Sequence, residues 1–226
     1  GLILPVFTNG TLFTKKTLGQ FDRNRNLFPI VSIEGDRLQT DSRRGEGTFQ
    51  LIARAMDEMK RRGIFYGVSI TVTKENLAAV TSEKFIAGLR ENGCKVVVFV
   101  EYVPVDGSKG LEPGKVEHGI LDERQETLRM RFPDMIFIFF PGDEKQMGGC
   151  LAAGRGFFHI NPFGGAEPCP FSPYTDTNLK AKSIKQALNS ALFHKIRQSG
   201  IQAEEHAGGC VLFDKRTTVE NMLTLL

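Results

Sequence analysis

Five short, almost purely apolar runs recur along the chain with helix-like spacers between them, and this alternation limits the possible folds more than any other feature. The runs are Leu2 to Phe7, Phe28 to Ile33, Phe65 to Thr73, Val96 to Pro104 and Met135 to Phe140. They are rich in β-branched and aromatic residues and lack the apolar–polar alternation of a half-exposed strand. Parallel strands covered on both faces read this way. The spacers carry helical periodicity. From Thr48 to Arg62, the residues Phe49, Ile52, Ala53, Met56 and Met59 fall on one face. The stretch Val80 to Asn92 behaves similarly and meets a C-terminal stop at Gly93, and Leu121 to Arg131 is a third, charged helix. Lys60, Arg61 and Arg62 close the first of these helices, where cations complement the dipole. Such alternation implies βαβ units and a parallel sheet, so the fold class is α/β. There is no internal repeat.

The pattern changes near Gly148, where glycine, proline and aromatic residues become dense through Tyr174. Phe157 to Asn161 and Phe163 to Glu167 read as a β-hairpin with a glycine-containing turn. Asn178 is expected to cap one long amphipathic helix, Leu179 to Gln198, with Ile184, Ala187, Leu188, Ala191, Leu192 and Ile196 as its stripe and Gly200 as its end. A loop through His206 and Gly208-Gly209-Cys210 then leads to a short terminal helix. The expected division is an α/β part at 1–145 and an appendage at 146–226.

Bulk properties narrow the function classes. The 226 residues can bury a sizeable core, and the net charge is only +3 with no long basic run, so no nucleic-acid partner is expected. No apolar stretch reaches about 18 residues, so no membrane span is expected. The N-terminus lacks the basic region of a signal peptide, which points to a cytoplasmic protein. In that compartment the four cysteines, Cys94, Cys150, Cys169 and Cys210, favour metal ligation or free thiols over disulfides. Leu2 to Phe7 reads as a buried strand preceded only by Gly1, which raises the expectation of lost upstream sequence.

Three of the cysteines sit in loops built for ligation: Gly148-Gly149-Cys150, Glu167-Pro168-Cys169-Pro170 and Gly208-Gly209-Cys210. Glycine lets the backbone approach a bulky centre, and the flanking prolines stiffen Cys169. Three loop thiolates suit an iron–sulfur cluster or a zinc ion. In the zinc case His206 would complete a Cys3His set with Cys150, Cys169 and Cys210. Cys94 follows the helix-ending Gly93 and opens a strand, so it reads as core. His159 reads as a packed strand residue, and His118 and His194 as surface residues. No Ser-His-Asp arrangement stands out.

Cys150, thirteen residues, Gly164, four residues and Cys169 resemble the opening of the SPASM and twitch iron–sulfur modules that follow the barrel of many radical S-adenosylmethionine (SAM) enzymes. Gly208-Gly209-Cys210 resembles the closing ligand. The further cysteine cluster of the full SPASM pattern is absent, so the resemblance implies one auxiliary [4Fe-4S] cluster, as in the shorter twitch form. The α/β part is similar to the later strands of a partial (β/α)6 barrel of the same superfamily. Thr8-Asn9-Gly10 resembles the end of its third strand, and Ser32-Ile33-Glu34-Gly35-Asp36 with Arg44-Gly45-Glu46-Gly47 resembles the fourth strand and the helix after it.

By this resemblance, Thr8 and Asn9 belong to the cofactor site, Ser32 and Glu34 would face the ribose or amino group of SAM, and Arg44 its carboxylate. Thr71 or Ser69 would stand at the fifth strand and Tyr102 to Pro104 beside the adenine. The activity implied is cleavage of SAM to a 5′-deoxyadenosyl radical and hydrogen abstraction from a peptide or small-molecule substrate, with an electron donor such as flavodoxin or ferredoxin. One departure matters. The Cys-x3-Cys-x2-Cys loop of the catalytic cluster is absent from this chain, so its expected partner is a missing N-terminal segment of the same protein. The alternative is a non-catalytic zinc- or cluster-binding module.

Overall fold

A computed structural model describes residues 1–105, 107, 110–204 and 209–225. The chain divides into two compact units. One comprises Gly1–Tyr102 and Leu111–Phe140, and the other Val103–Gly110 and Pro141–Leu226.

The first unit alternates strands and helices: β1 (Leu4–Thr8), α1 (Lys15–Arg23), β2 (Leu27–Ile33), α2 (Arg37–Arg44), α3 (Thr48–Arg61), β3 (Gly67–Val72), α4 (Leu77–Val80), α5 (Glu83–Glu91), β4 (Val96–Glu101), α6 (Lys115–Arg131) and β5 (Ile136–Phe140). The strands form one sheet in the order β1-β2-β3-β4-β5, with every neighbouring pair parallel. The helix-packed side of β2 to β5 is largely apolar, which is why these strands read as apolar runs. β1, expected to be buried, stands at the end of the strand order and leaves Leu4, Val6 and Phe7 exposed. Val31, Ile33, Val68, Ile70, Val97, Phe99, Phe137 and Phe139 pack with Leu18, Ile52, Met56, Met59, Ile86, Leu121 and Leu128 of the helices. On the opposite face a smaller cluster gathers Ile30, Val96 and Val98 with Phe28, Val100 and Ile138. Gly67 sits where that second face is tightest. A Cβ there would lie 2.6 Å from Cδ1 of Ile30 and 2.7 Å from Cβ of Val96.

Capping explains where the helices depart from expectation. The helix read as Val80 to Asn92 starts only at Glu83, because Ser82 Oγ accepts the Phe85 N–H at 3.2 Å. Residues Leu77–Val80 form a separate turn. α6 starts at Lys115, well before Leu121, with Glu117 reaching back to the Gly114 N–H at 2.9 Å. α1 and α2 were not read from the sequence. α2 is opened by a capping box between Asp36 and Gln39.

The second unit has little regular structure. It contains a 3-10 turn (Gly142–Met147), β6 (His159–Ile160), β7 (Ala166–Glu167), α7 (Ile184–Leu188), α8 (Ala191–Ser199), a 3-10 turn (Ile201–Ala203), α9 (Val211–Asp214) and α10 (Arg216–Thr224). β6 and β7 pair antiparallel over two residues each. The long helix expected from Leu179 to Gln198 is instead two helices. Ser183 and Gln186 make a capping box that starts α7, and Ser190 Oγ accepts the Phe193 N–H at 3.3 Å to start α8. A serine placed where it can cap competes with helix continuation. Asn178 caps no helix. Its Nδ2 donates to the Phe163 carbonyl at 3.1 Å and its Oδ1 accepts the Lys180 N–H at 2.9 Å, which ties down the hairpin turn. No helix among the described residues is long and apolar enough to cross a membrane.

Candidate functional site

Residues that pair across a parallel ladder, and residues two apart along a strand, share a face. Ser32 stands two residues beyond Ile30, pairs with Ser69, and so lies with it on the face opposite the helix-packed core. Thr71 is two residues beyond Ser69 and pairs with Val100 of the same face. Ser32, Ser69 and Thr71 thus form a half-buried polar row near the carboxyl ends of β2 and β3. Open α/β sheets bind their ligands beyond that end.

Thr8 is placed differently. It pairs with Val31, which belongs to the helix-facing row, and its Oγ1 accepts the Gly10 N–H at 3.1 Å. Asn9 Oδ1 accepts from the N–H of Thr11 at 3.2 Å and from its hydroxyl at 3.0 Å. These groups shape the loop after β1. Gly10 has φ +71°, and a Cβ there would meet Val31 Cγ1 at 2.7 Å.

Glu34, one residue past β2, is only 2% exposed. Its carboxylate accepts from Arg44 Nε at 2.9 Å and from Arg43 Nη1 at 3.2 Å. Its N–H donates to Thr40 Oγ1 at 3.1 Å and its carbonyl accepts from Asn76 Nδ2 at 3.1 Å. Glu34 and Arg44 are therefore one coupled unit rather than two independent groups. The Arg43 guanidinium stands 5.7 Å from the ring centroid of the buried Tyr102, whose N–H donates to the Val72 carbonyl at 2.9 Å. Asn76 also donates to the Thr71 carbonyl at 2.9 Å and accepts the Thr73 N–H at 2.8 Å, so it links the ends of β2 and β3. Arg43, Thr40 and Asn76 escaped the sequence reading. Each follows its strand by an irregular number of residues, and no periodicity marks it. His118, read as a surface residue, pairs with the buried Glu101 at 2.8 Å.

In the second unit, Cys150, Cys169 and Cys210 share one apolar core with Ala152, Ala166, Leu192, Phe193 and Leu212. The thiol of Cys169 donates to the sulfur of Cys210, which raises the pKa of Cys169 and lowers that of Cys210. Burial adds to the rise at Cys169. Burial also pushes Cys150 up to about 12, and the nearby Glu144 carboxylate pushes in the same direction. Ionising Cys150 or Cys169 in place is opposed by burial, and a nearby cation would offset that cost.

Backbone contacts fix the three positions. The Cys150 N–H donates to the Gln202 carbonyl at 2.8 Å, and Gln202 Nε2 returns to the carbonyls of Cys150 at 3.0 Å and Ala152 at 2.8 Å. Gly149, at φ +98°, permits this approach, since a Cβ would lie 2.2 Å from the Gln202 carbonyl oxygen. Cys169 opens a tight turn closed by the Ser172 N–H on its carbonyl at 2.9 Å. The Cys210 carbonyl accepts the Asp214 N–H at 3.1 Å at the start of α9.

Among the described residues, no three His, Cys, Asp or Glu side chains are arranged to hold a single metal ion. A lone zinc draws each thiolate to about 2.3 Å from one point. An iron–sulfur cluster is several atoms across and takes its thiolates farther apart. The fit to such a centre is one of chemistry: three buried thiols, the buried Glu144, and the Ser172 hydroxyl, which is buried without a hydrogen-bond partner. His206 and Gly208 lie outside the described residues. His159 is held by Glu167 at 2.7 Å, and Asn161 donates to the same carboxylate at 2.6 Å. Cys94 is fully buried, donates to the Val96 carbonyl at 3.3 Å, and is pushed up to about 12 by burial.

No protein-family model and no curated protein matches the chain. Several solved structures do. SuiB of Streptococcus suis is 16% identical with a TM-score of 0.69, over 86% of this chain and 50% of that one. The anSMEcpe structure with bound AdoMet is 13% identical with a TM-score of 0.69, over 98% of this chain and 71% of that one. SuiB bound to its precursor peptide SuiA gives 15% identity and a TM-score of 0.65, over 85% and 49%. These neighbours are radical SAM enzymes. Identities this low show a shared fold. The chain spans about half the length of SuiB.

Proposed function

We propose that this chain is the later-strand part of a radical SAM enzyme's barrel, followed by a twitch-like module holding one auxiliary [4Fe-4S] cluster. SAM held here would supply the chemistry of hydrogen-atom abstraction from the substrate, with its electron coming from a cluster whose ligands lie outside this chain. The residues of this chain orient and shield. Ser32, Ser69 and Thr71 offer hydroxyls to the ribose end of the cofactor. Arg44, braced by Glu34, presents a guanidinium to the carboxylate, with the tilt of that guanidinium fixed by its bond from Nε. Arg43 and Tyr102 form a cation–π wall for the adenine. Thr8 and Asn9 act through the loop after β1. The chain contains no Cys-x3-Cys-x2-Cys, so the ligands of the cleaving cluster come from outside these residues.

The observation that carries the reading is the gathering of Cys150, Cys169 and Cys210, remote in sequence, into one buried core. These three would hold the auxiliary cluster. The peptide-bound SuiB structure makes a peptide the favoured substrate class. The test is metal analysis of the chain reconstituted anaerobically with iron and sulfide. Iron and sulfide in equal amounts and a brown protein are expected, both falling sharply in Cys169→Ala. A colourless protein that takes up one zinc would replace this reading with a Cys3His site.

A further inference from the structure

Among the described residues, a single buried side-chain nitrogen or oxygen lacks a hydrogen-bond partner, and it is the hydroxyl of Ser172. The residue has no exposed surface. Leaving a hydroxyl unpaired in such a place costs about 1–3 kcal/mol, so an orphan of this kind calls for an explanation. Its position supplies one. Cys169 and Ser172 form an isolated antiparallel bridge, with the Ser172 N–H on the Cys169 carbonyl at 2.9 Å. Residues directly opposite in an antiparallel pair send their side chains to the same side, with Cβ atoms about 4.5–5.5 Å apart. The Ser172 side chain therefore lies on the same side of the turn as that of Cys169. Cys169 itself belongs to an apolar core that also holds Ala166, Leu192 and Phe193.

We propose that Ser172 is a positioning residue for the thiolate-held centre, donating its O–H to a sulfur of that centre. This rests on the iron–sulfur reading above. A hydroxyl has one proton to give and no carbonyl or carboxylate here to take it. The electron-rich sulfur of a cluster is the acceptor that chemistry brings to this spot. Such a bond favours the reduced form, in which the sulfurs carry more negative charge, and hydrogen bonds to sulfur are among the factors that set cluster potentials. Removing the hydroxyl should therefore make reduction harder.

The experiment compares wild type, Ser172→Ala and Ser172→Cys as complete chains, reconstituted anaerobically, by iron and sulfide content and by spectroelectrochemical titration. The expected result is full iron and sulfide in all three. The potential of Ser172→Ala should fall by the equivalent of about tenfold in the reduction equilibrium, about 59 mV for one electron. Ser172→Cys, a weaker donor of similar shape, should fall between. An unchanged potential with iron intact in Ser172→Ala would overturn this role and leave the cluster reading standing. Loss of iron from a folded Ser172→Ala would also overturn it, because the oxygen would then be a ligand. Failure of the wild type itself to take up iron and sulfide would remove the reading beneath it.

Discussion

The two units solve the same problem, buried backbone polar groups, by opposite means. In the first, five parallel strands satisfy one another's N–H and C=O groups through a continuous ladder, and side chains are left to pack. In the second, only four of the described residues lie in strands. Long polar side chains do the work instead. Arg155 donates to the carbonyls of Met147, Gly148 and Cys150. Gln202 donates to those of Cys150 and Ala152, Arg197 to those of Ala153 and Leu188, and Lys195 to those of Met222 and Leu225. A ladder tolerates the loss of any one side chain. A unit braced by side chains does not, and it gains most from a bound centre that supplies folding energy.

The comparison can be broken most severely at Cys169. In the reconstituted protein, Cys169→Ala should release the iron and raise hydrogen exchange across residues 141–204 and 209–225, while the amides of β2, β3 and β4 keep their protection. Uniform loosening of both units would erase the distinction. Next in size, Leu128→Ala should cost about 2–5 kcal/mol in denaturant unfolding, as for other fully buried leucines. Its iron content should stay at the wild-type level. A smaller effect is expected for Gln202→Leu, which leaves the carbonyls of Cys150 and Ala152 without their shared donor. A cost of about 1–3 kcal/mol, read from the iron-free protein's unfolding curve, follows from those unmet acceptors. A cost near zero would show the second unit to be less dependent on such braces.

The smallest effect is the part of the pH dependence that Cys94 contributes in the first unit. Burial pushes the Cys94 thiol up to about 12 and raises Tyr66 as well. Below the unfolded thiol's value both states keep the proton, so the stabilisation is fully present. Above it the unfolded chain releases the proton first, and stability falls as pH rises towards the folded value. By pH 10 the loss from Cys94 is about 1–2 kcal/mol. Cys94→Ala, compared with wild type at pH 7 and pH 10, should flatten that slope.

The same contrast explains what the sequence made legible. The first unit announces itself because the helix-packed face is largely apolar and the other is apolar but for Ser32, Ser69 and Thr71, so β2 to β5 read as nearly unbroken runs. The helices that escaped, α1 and α2, are short and mostly polar, and a cap such as Asp36 with Gln39 is a local event with no periodic trace. In the second unit the cysteines stand out through their glycine and proline neighbours. The break at Asn189 and Ser190 does not, because the apolar stripe continues through it and only the Ser190 cap on α8 interrupts the helix. The brace at Glu34 was half visible. Glu34 and Arg44 drew attention, but the second guanidinium and the Thr40 and Asn76 contacts depend on how α2 and the turn after β3 fold back.

That brace leaves a charge imbalance. Two guanidinium groups converge on one carboxylate, and one positive charge is left facing water. The end of the sheet should therefore attract anions weakly. Sulfate or phosphate in the buffer would compete for it, and affinity for any ligand with an acidic end should decline as ionic strength rises.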